Sequence, residues 1–483
     1  MAEHPDIDED VERVRRRQLR CHLPVISGGM PNAATALRAA AAEIAAHDPA
    51  VAVDLLLDAL GHHVRAGELE AILSVVEELA PRRKTLDAER GRRVDVIAGA
   101  VDVAAGLEEG EACLARYTEM GGPQRSSADI LYLAEVVAPV LAFLRRTAES
   151  DALLAELDAD LRARGAVWPL ISVLNAQTLS QYGRSLPATM SAGLEAVALA
   201  EANGIPHHAS ISAGVLALCA ATVGDRAACE RAARLLRDAP EPERRALAGI
   251  GLGFLALNEG RLDDADVHYR EVLALSPIGH GVVRWEPEWV EALLRSGRRD
   301  EADAVFAELQ QAIDEGPLAY PRIARVQGLM AVDDDEAVRY FAAAVDDAQT
   351  VGNRVTEGRC EMSWGERLRR ARKRAEARRH LERALALFRE VGATLLAERA
   401  TFELRAAGGV VGDEVVSHQL LTPHELQVAR LVVGGASNRE LAAKLFISPR
   451  TVEAHLTSIF RKLRVRNRRE LSARALDDPI LQP

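Results

Sequence analysis

Six residues near the C-terminal end, Arg450, Glu453, Ala454, Thr457, Ser458 and Arg461, are of the types that recognise nucleic acid. Arginine meets phosphate oxygens, and small or hydrogen-bonding side chains reach base edges inside a groove. Steps of three and four place them on one face of a helix predicted from Pro449 to Leu463. Its other face carries Val452, Leu456, Ile459, Phe460 and Leu463. Such a helix is about 22 Å long at 1.5 Å per residue, and its girth fits the major groove.

No competing chemistry is legible. The sequence contains no G-x-x-x-x-G-K-[ST] phosphate loop, no G-x-S-x-G and no H-E-x-x-H, so neither an enzyme nor a cofactor is expected. His62-His63 and His207-His208 are adjacent pairs that point about 100° apart on a helix, with no carboxylate or cysteine cluster to complete a metal site. Cys21, Cys113, Cys219, Cys229 and Cys360 are far apart and read as reduced core residues of a cytoplasmic protein. The most apolar stretch, Leu131 to Leu144, contains Glu135 and Pro139, so no membrane span is expected.

The elements that must hold the reading helix announce themselves by their start signals. Thr422 with Glu425 forms a capping box and Pro423 suits a first helical position, which predicts a helix from Pro423 to Val433 stopped by Gly434-Gly435 and burying Val428, Leu431 and Val432. Ser437 with Glu440 opens a short helix, Asn438 to Leu445, with Leu441 and Leu445 inward. Ser448 caps the reading helix. Asn467 with Glu470 opens Arg468 to Leu476, a helix too short to stand alone, whose stripe of Leu471 and Ala475 must pack against something.

Charge agrees with this placement. Leu421 to Leu476 holds eleven basic and four acidic residues, a local charge of +7 in a chain whose net charge is -12. A basic end on an acidic body suits a module that meets phosphates while the body stays off them.

The body is written in a different pattern. Hydrophobic residues make up 48% of the chain and aromatics only 4%, an alanine-rich mixture that favours helix over strand. Between Ser210 and Gly392 a two-helix unit recurs, and Cys229, Ala265, Ala302, Ala337 and Ala377 align at steps of 36, 37, 35 and 40 residues. This is close to the period of tetratricopeptide repeats, whose small residues let paired helices approach. Asn32 to Gly204 continues with poorer copies. The predicted organisation is all-α: a tail over 1–30, a tetratricopeptide-like helical repeat solenoid over 31–405, a linker over 406–419 and a four-helix module over 420–478. The arginine-rich run ERLRRARKRAEARRHLER from Glu366 reads as a solvated helix face.

The segment LTPHELQVARLVVGGASNRELAAKLFISPRTVEAHLTSIFRKLRVRNRRELSARA resembles the LuxR-type helix-turn-helix domain, through Thr422 and Glu425, then Gly435, Ser437, Asn438, Glu440, Leu441 and Ala442, then Ser448, Thr451, Val452 and His455, and finally Ile459, Lys462, Leu463 and Val465. The resemblance implies that Glu453, Ala454 and Thr457 read bases, that Arg450, Thr451, His455, Arg461 and Lys462 meet phosphates, and that Leu471 and Ala475 contact a second copy on DNA. Two residues depart from the family pattern: Glu453, where relatives often have a basic residue, and Arg464, where glycine is usual. The body, chiefly Trp364 to Ala393, resembles the helical repeats of the large ATP-binding LuxR regulators, whose phosphate-loop ATPase has no counterpart in these residues. The implied function is transcription regulation, with double-stranded DNA as one partner and RNA polymerase or another protein on the repeat body, which acts as a partner- or ligand-sensing module. A repeat scaffold only weakly tethered to DNA is the alternative.

Overall fold

A computed structural model describes residues 33–66, 69–104, 108, 110–120, 126–237, 239, 242–278, 283–314, 323–409, 423–444, 449–463 and 465–477. The expected tail, 1–30, lies outside the described residues, as do 410–419 of the expected linker. The helices are α1 (Ala33–Ile44), α2 (Pro49–Ala66), α3 (Leu69–Leu79), α4 (Ala88–Ala104), α5 (Gly110–Leu114), α6 (Ser127–Tyr132), α7 (Ala138–Phe143), α8 (Thr147–Arg164), α9 (Val167–Gln181) and α10 (Leu186–Ala202). They continue with α11 (Ser210–Val223), α12 (Arg226–Arg237), α13 (Pro242–Asn258), α14 (Leu262–Leu273), α15 (Glu286–Arg295), α16 (Arg299–Asp314), α17 (Ala324–Met330), α18 (Asp334–Thr350), α19 (Arg354–Arg370), α20 (Arg374–Val391) and α21 (Thr394–Ala406). Last come α22 (Pro423–Val433), α23 (Asn438–Lys444), α24 (Pro449–Leu463) and α25 (Arg468–Asp477); no strand occurs among the described residues.

The chain divides into two compact units, one of Met1–Tyr182, Ala188–Ala221 and Asp225–Met330, the other of Gly183–Pro187, Thr222–Gly224 and Ala331–Pro483. In both, the aligned small residues occupy equivalent places. Cys229, Ala265, Ala302, Ala337 and Ala377 are each the fourth residue of their helix, α12, α14, α16, α18 and α20, and each is completely buried. A larger side chain at this position would push the neighbouring helix away. The longest step, 40 residues, spans α18 and α19 with 17 residues each, whereas the 36-residue step spans α12 with 12 and α13 with 17.

The turns between paired helices repeat as well. Gly224, Gly260 and Gly297 adopt φ of 80°, 79° and 80°, and the next residue's N–H returns to the carbonyl five back: Asp225 to Ala220, Arg261 to Ala256 and Arg298 to Leu293, all 2.9 Å. This is the glycine-capped helix stop, in which a left-handed residue satisfies two orphaned carbonyls. At the last such turn Lys373 N–H reaches Leu368 O at 2.9 Å, but the left-handed residue is Arg372, with φ of 60°.

Hydrogen bonds one period apart tie successive copies together, including those whose sequence pattern is poor. In the first unit Arg90 donates to Asp54 (2.8 Å), Arg93 to Asp129 (3.0 Å) and Arg325 to Glu291 (2.8 Å); in the second Arg399 donates to Glu366 (2.7 Å) and Arg369 to Glu403 (2.9 Å). Their partners are 33 to 36 residues apart. Asp266, nearly buried, accepts hydrogen bonds from Arg298 (2.6 Å), Trp289 Nε1 (2.8 Å) and Arg270 (3.1 Å). Burial pushes its carboxyl up, but these three hydrogen bonds outweigh it and hold the pKa below the usual carboxylate range.

Residues that could have suggested other chemistry have structural roles. Cys219, Cys229 and Cys360 are buried, whereas Cys113 is half-buried beside Arg83; Cys21 lies outside the described residues. Burial pushes the Cys229 thiol up to about 12, so it stays protonated and inert. His208 stacks on Trp168, with ring centroids 5.2 Å apart, and its Nε2 lies 3.2 Å from Ser172 Oγ. No group of metal-ligating side chains comes together, and no helix is long and apolar enough to cross a membrane, among the described residues. Leu131 to Leu144 is instead a largely buried helical stretch with a π-turn at Leu133–Val137, which accommodates Pro139.

Candidate nucleic-acid interface

The last four helices coincide closely with the expected ones. Helix α22 spans Pro423–Val433 and α24 spans Pro449–Leu463 as predicted; α23 is described to Lys444, and α25 runs one residue further, to Asp477. Their core is Val428, Ala429, Val432, Leu441, Val452, Leu456, Ile459, Leu463, Leu471 and Ala475, with Leu431 and Phe460 packed at its margin. Leu445, the Thr422 cap and the Ser448 cap lie outside the described residues.

Local chemistry fixes the starts of α23 and α25. Ser437 N–H donates to Glu440 Oε2 (2.7 Å) and Glu440 N–H to Ser437 Oγ (3.3 Å), a reciprocal capping box at the head of α23. Before it, Gly435 at φ of 89° lets Ala436 N–H return to Leu431 O at 3.0 Å. At α25, Glu470 N–H donates to Asn467 Oδ1 (3.0 Å), while the Glu470 carboxylate accepts from Arg466 N–H (2.8 Å) rather than from the cap residue itself. The stop of α24 carries the returning bond from Val465 N–H to Phe460 O at 3.0 Å; Arg464, at the usual glycine position, lies outside the described residues.

On α24, Glu453 and Thr457 are exposed, one helical turn apart on the same edge, and His455 is half-buried. The Thr457 hydroxyl donates to Glu453 O at 2.8 Å, which leaves its oxygen lone pairs facing outward as acceptors. Ala454, Arg450, Thr451, Arg461 and Lys462 belong to the described helix, but their side chains lie outside the described residues. The edge can therefore accept hydrogen bonds from a base amino group, as cytosine or adenine presents in the major groove.

Two findings alter the reading of α25. Leu471 and Ala475, expected at a contact with a second copy, are consumed by the domain's own core, at 0% and 2% exposure. Any pairing through this helix has to use its open side, where Arg469 and Ala473 are exposed. Arg468 is also engaged internally: its guanidinium donates to Ala436 O at 2.6 Å and to Asn438 Oδ1, tying α25 to the head of α23. Residue type alone counted it with the basic surface, and only the folded distance separates it from its neighbour Arg469.

A family model described as "Bacterial regulatory proteins, luxR family" matches residues 419–475. The Mycobacterium tuberculosis protein Rv0890c, named for an HTH-type transcriptional regulator, is 51% identical over 51 residues, 11% of this chain and 6% of that protein. The oxygen regulatory protein NreC of Staphylococcus carnosus is 41% identical over 63 residues, 13% of this chain and 29% of its own length. The chain thus spans only a small part of these relatives. Among solved structures, the apo form of the quorum sensor NprR from B. thuringiensis aligns with 70% of this chain and 97% of its own, at 13% identity and a TM-score of 0.40.

Proposed function

We propose that this chain, which carries a luxR-family helix-turn-helix domain at residues 419–475, is a transcriptional regulator that binds double-stranded DNA by seating α24 in the major groove. The observation that carries the reading is the open edge of α24, where Glu453 and Thr457 stand exposed on a helix whose opposite face is locked into the domain core. Glu453, Ala454 and Thr457 then read bases, with Arg450, Thr451, His455, Arg461 and Lys462 on phosphates. The repeat body serves as the module that senses a ligand or meets a protein partner, RNA polymerase included.

Two copies bind one site, with their reading helices about 34 Å apart on one face of the duplex. The contact is small, so pairing occurs on DNA rather than before it, and it uses the Arg469 and Ala473 side of α25. The test is to select duplexes bound by the full chain from a random library. An inverted repeat should emerge, and Thr457→Ala and Glu453→Ala should each change the preferred base at their own position by about 1–3 kcal/mol. Ala473→Glu should weaken binding to the full repeat and leave a half-site unaffected. Sequence-blind, salt-sensitive retention of every duplex would instead favour a tethered scaffold.

A further inference from the structure

In successive repeats, arginine follows the turn glycine and is spent inside the body. Arg226 pairs with Glu259 (2.6 Å), Arg261 with Glu259 (2.6 Å) and Asp264, Arg298 with Asp266 and Glu301 (both 2.6 Å), and Arg299 with Asp303 (3.0 Å). The α19–α20 turn breaks this rule. Its flanking arginines are engaged in the same way, Arg367 with Asp334, Arg369 with Glu403 and Arg383 with Glu357. Arg370, Arg372, Lys373, Arg374 and Arg379, however, are all exposed, and none of these five pairs with a carboxylate among the described residues.

Position and backbone add to the charge. Arg372 adopts φ of 60° where three other copies have Gly224, Gly260 and Gly297, a conformation unfavourable for a residue with a Cβ, yet an arginine stands there. Arg145 shares the conformation, so the backbone supports the argument without carrying it. The turn also lies at the end of the body from which the chain leaves for the DNA-binding domain. Arg369 meets Glu403 at 2.9 Å, and Arg378 reaches Ala407 O at 3.4 Å, both at the C-terminal end of α21. From Gly409, residues 410–422 lead to α22, a tether of at most about 50 Å.

We propose that Arg370, Arg372, Lys373 and Arg374 form a second, sequence-independent phosphate-binding surface that engages the duplex read by α24. The inference rests on the DNA-binding reading above. Unpaired guanidinium groups suit phosphodiester oxygens, which they grip with two parallel N–H bonds. Tethering to a DNA-bound domain raises their effective concentration at the flanking backbone.

The test titrates the full chain and its Arg370→Ala/Lys373→Ala/Arg374→Ala variant with a mixed-sequence duplex of about 60 base pairs, across roughly 50–300 mM salt. Each lost phosphate contact removes about 0.9 from the slope of log affinity against log salt, so the variant should lose two to three units and at least about tenfold in affinity. As an independent readout, Arg372→Gly should raise the thermal midpoint while lowering the slope by about one unit, a pairing that misfolding cannot produce. An unchanged slope in the triple variant, with the parent chain binding duplex, overturns this surface and leaves the α24 reading standing. Failure of the parent chain to bind any duplex overturns both. Retained duplex binding with lost binding to poly-glutamate would assign the surface to an acidic protein instead, and so also overturn the proposal.

Discussion

The helix-turn-helix domain and the repeat body are both all-helical, yet they are held together in different ways. In the domain a small set of apolar side chains fills one core, and polar caps fix where α23 and α25 begin. In the body small residues recur at one helical position, and arginine–carboxylate bonds link copies roughly one period apart. The difference teaches what each region can hold constant. A reading helix must present particular side chains at particular places, so its boundaries and its burial pattern are strict. A solenoid needs only that each copy stack on the next, which many side chains satisfy.

The largest expected effects come from breaking each packing mode in turn. Leu441→Ala empties a fully buried site in the domain and should cost about 2–5 kcal/mol, abolishing DNA binding while the body's helical signal survives in circular dichroism. Ala302→Leu overfills a fully buried helix contact and should cost the body about 1–3 kcal/mol, seen as an earlier thermal transition, with the selected DNA sequence unchanged. If either substitution damaged both regions equally, the contrast drawn between them would fail.

The ion-pair ties of the body predict an acid response. Asp266 and Glu357 are pushed up by burial, but hydrogen bonds outweigh this and lower both pKa values: from Arg298, Trp289 and Arg270 to Asp266, and from Gln349, Arg354 and Arg383 to Glu357. Because the folded values lie below the unfolded ones, the stabilisation is present above about pH 4 and is lost as pH falls through the folded values. Thermal midpoints measured from pH 6 down to pH 3 should drop, and Asp266→Asn with Glu357→Gln should flatten the drop. A profile unaltered by both changes would show that these carboxylates do not tie the repeats.

The smallest effect sharpens the role of the caps. Ser437→Ala removes one side of the α23 capping box and should cost about 1 kcal/mol, read as a modest loss of the domain's denaturation midpoint. Loss as large as that of Leu441→Ala would mean that the cap, rather than the core, holds the domain.

Much of this was legible in order of sequence distance. The starts of α22 and α24 at Pro423 and Pro449, the start of α25 after the Asn467 cap and the inward faces of α22 and α24 matched the local signals and spacing, because those signals act within one or two helical turns. The anchors Cys229 to Ala377 were found by recurrence, since each copy solves the same packing problem. Upstream of Gly204 the sequence read as a continuation of the solenoid in poorer copies without aligned anchors, and bonds such as Arg93 to Asp129 join residues 36 apart there. The run from Glu366, read as one solvated face, separates only through distances into arginines that meet a carboxylate and arginines that meet none among the described residues.

By itself the sequence determined that the described residues are mainly helical, where α24 lies and that Glu453 and Thr457 stand on its outer face, since propensity, capping and periodicity are local properties of the chain. Only the tertiary structure decided that Leu471 and Ala475 are buried, that Arg468 is engaged internally, and that Arg370, Arg372, Lys373 and Arg374 have no carboxylate partner among the described residues. The physical reason is that an arginine's role depends on which carboxylate or carbonyl comes within about 3 Å of it, and that partner can stand far away along the chain, as Ala436 does from Arg468.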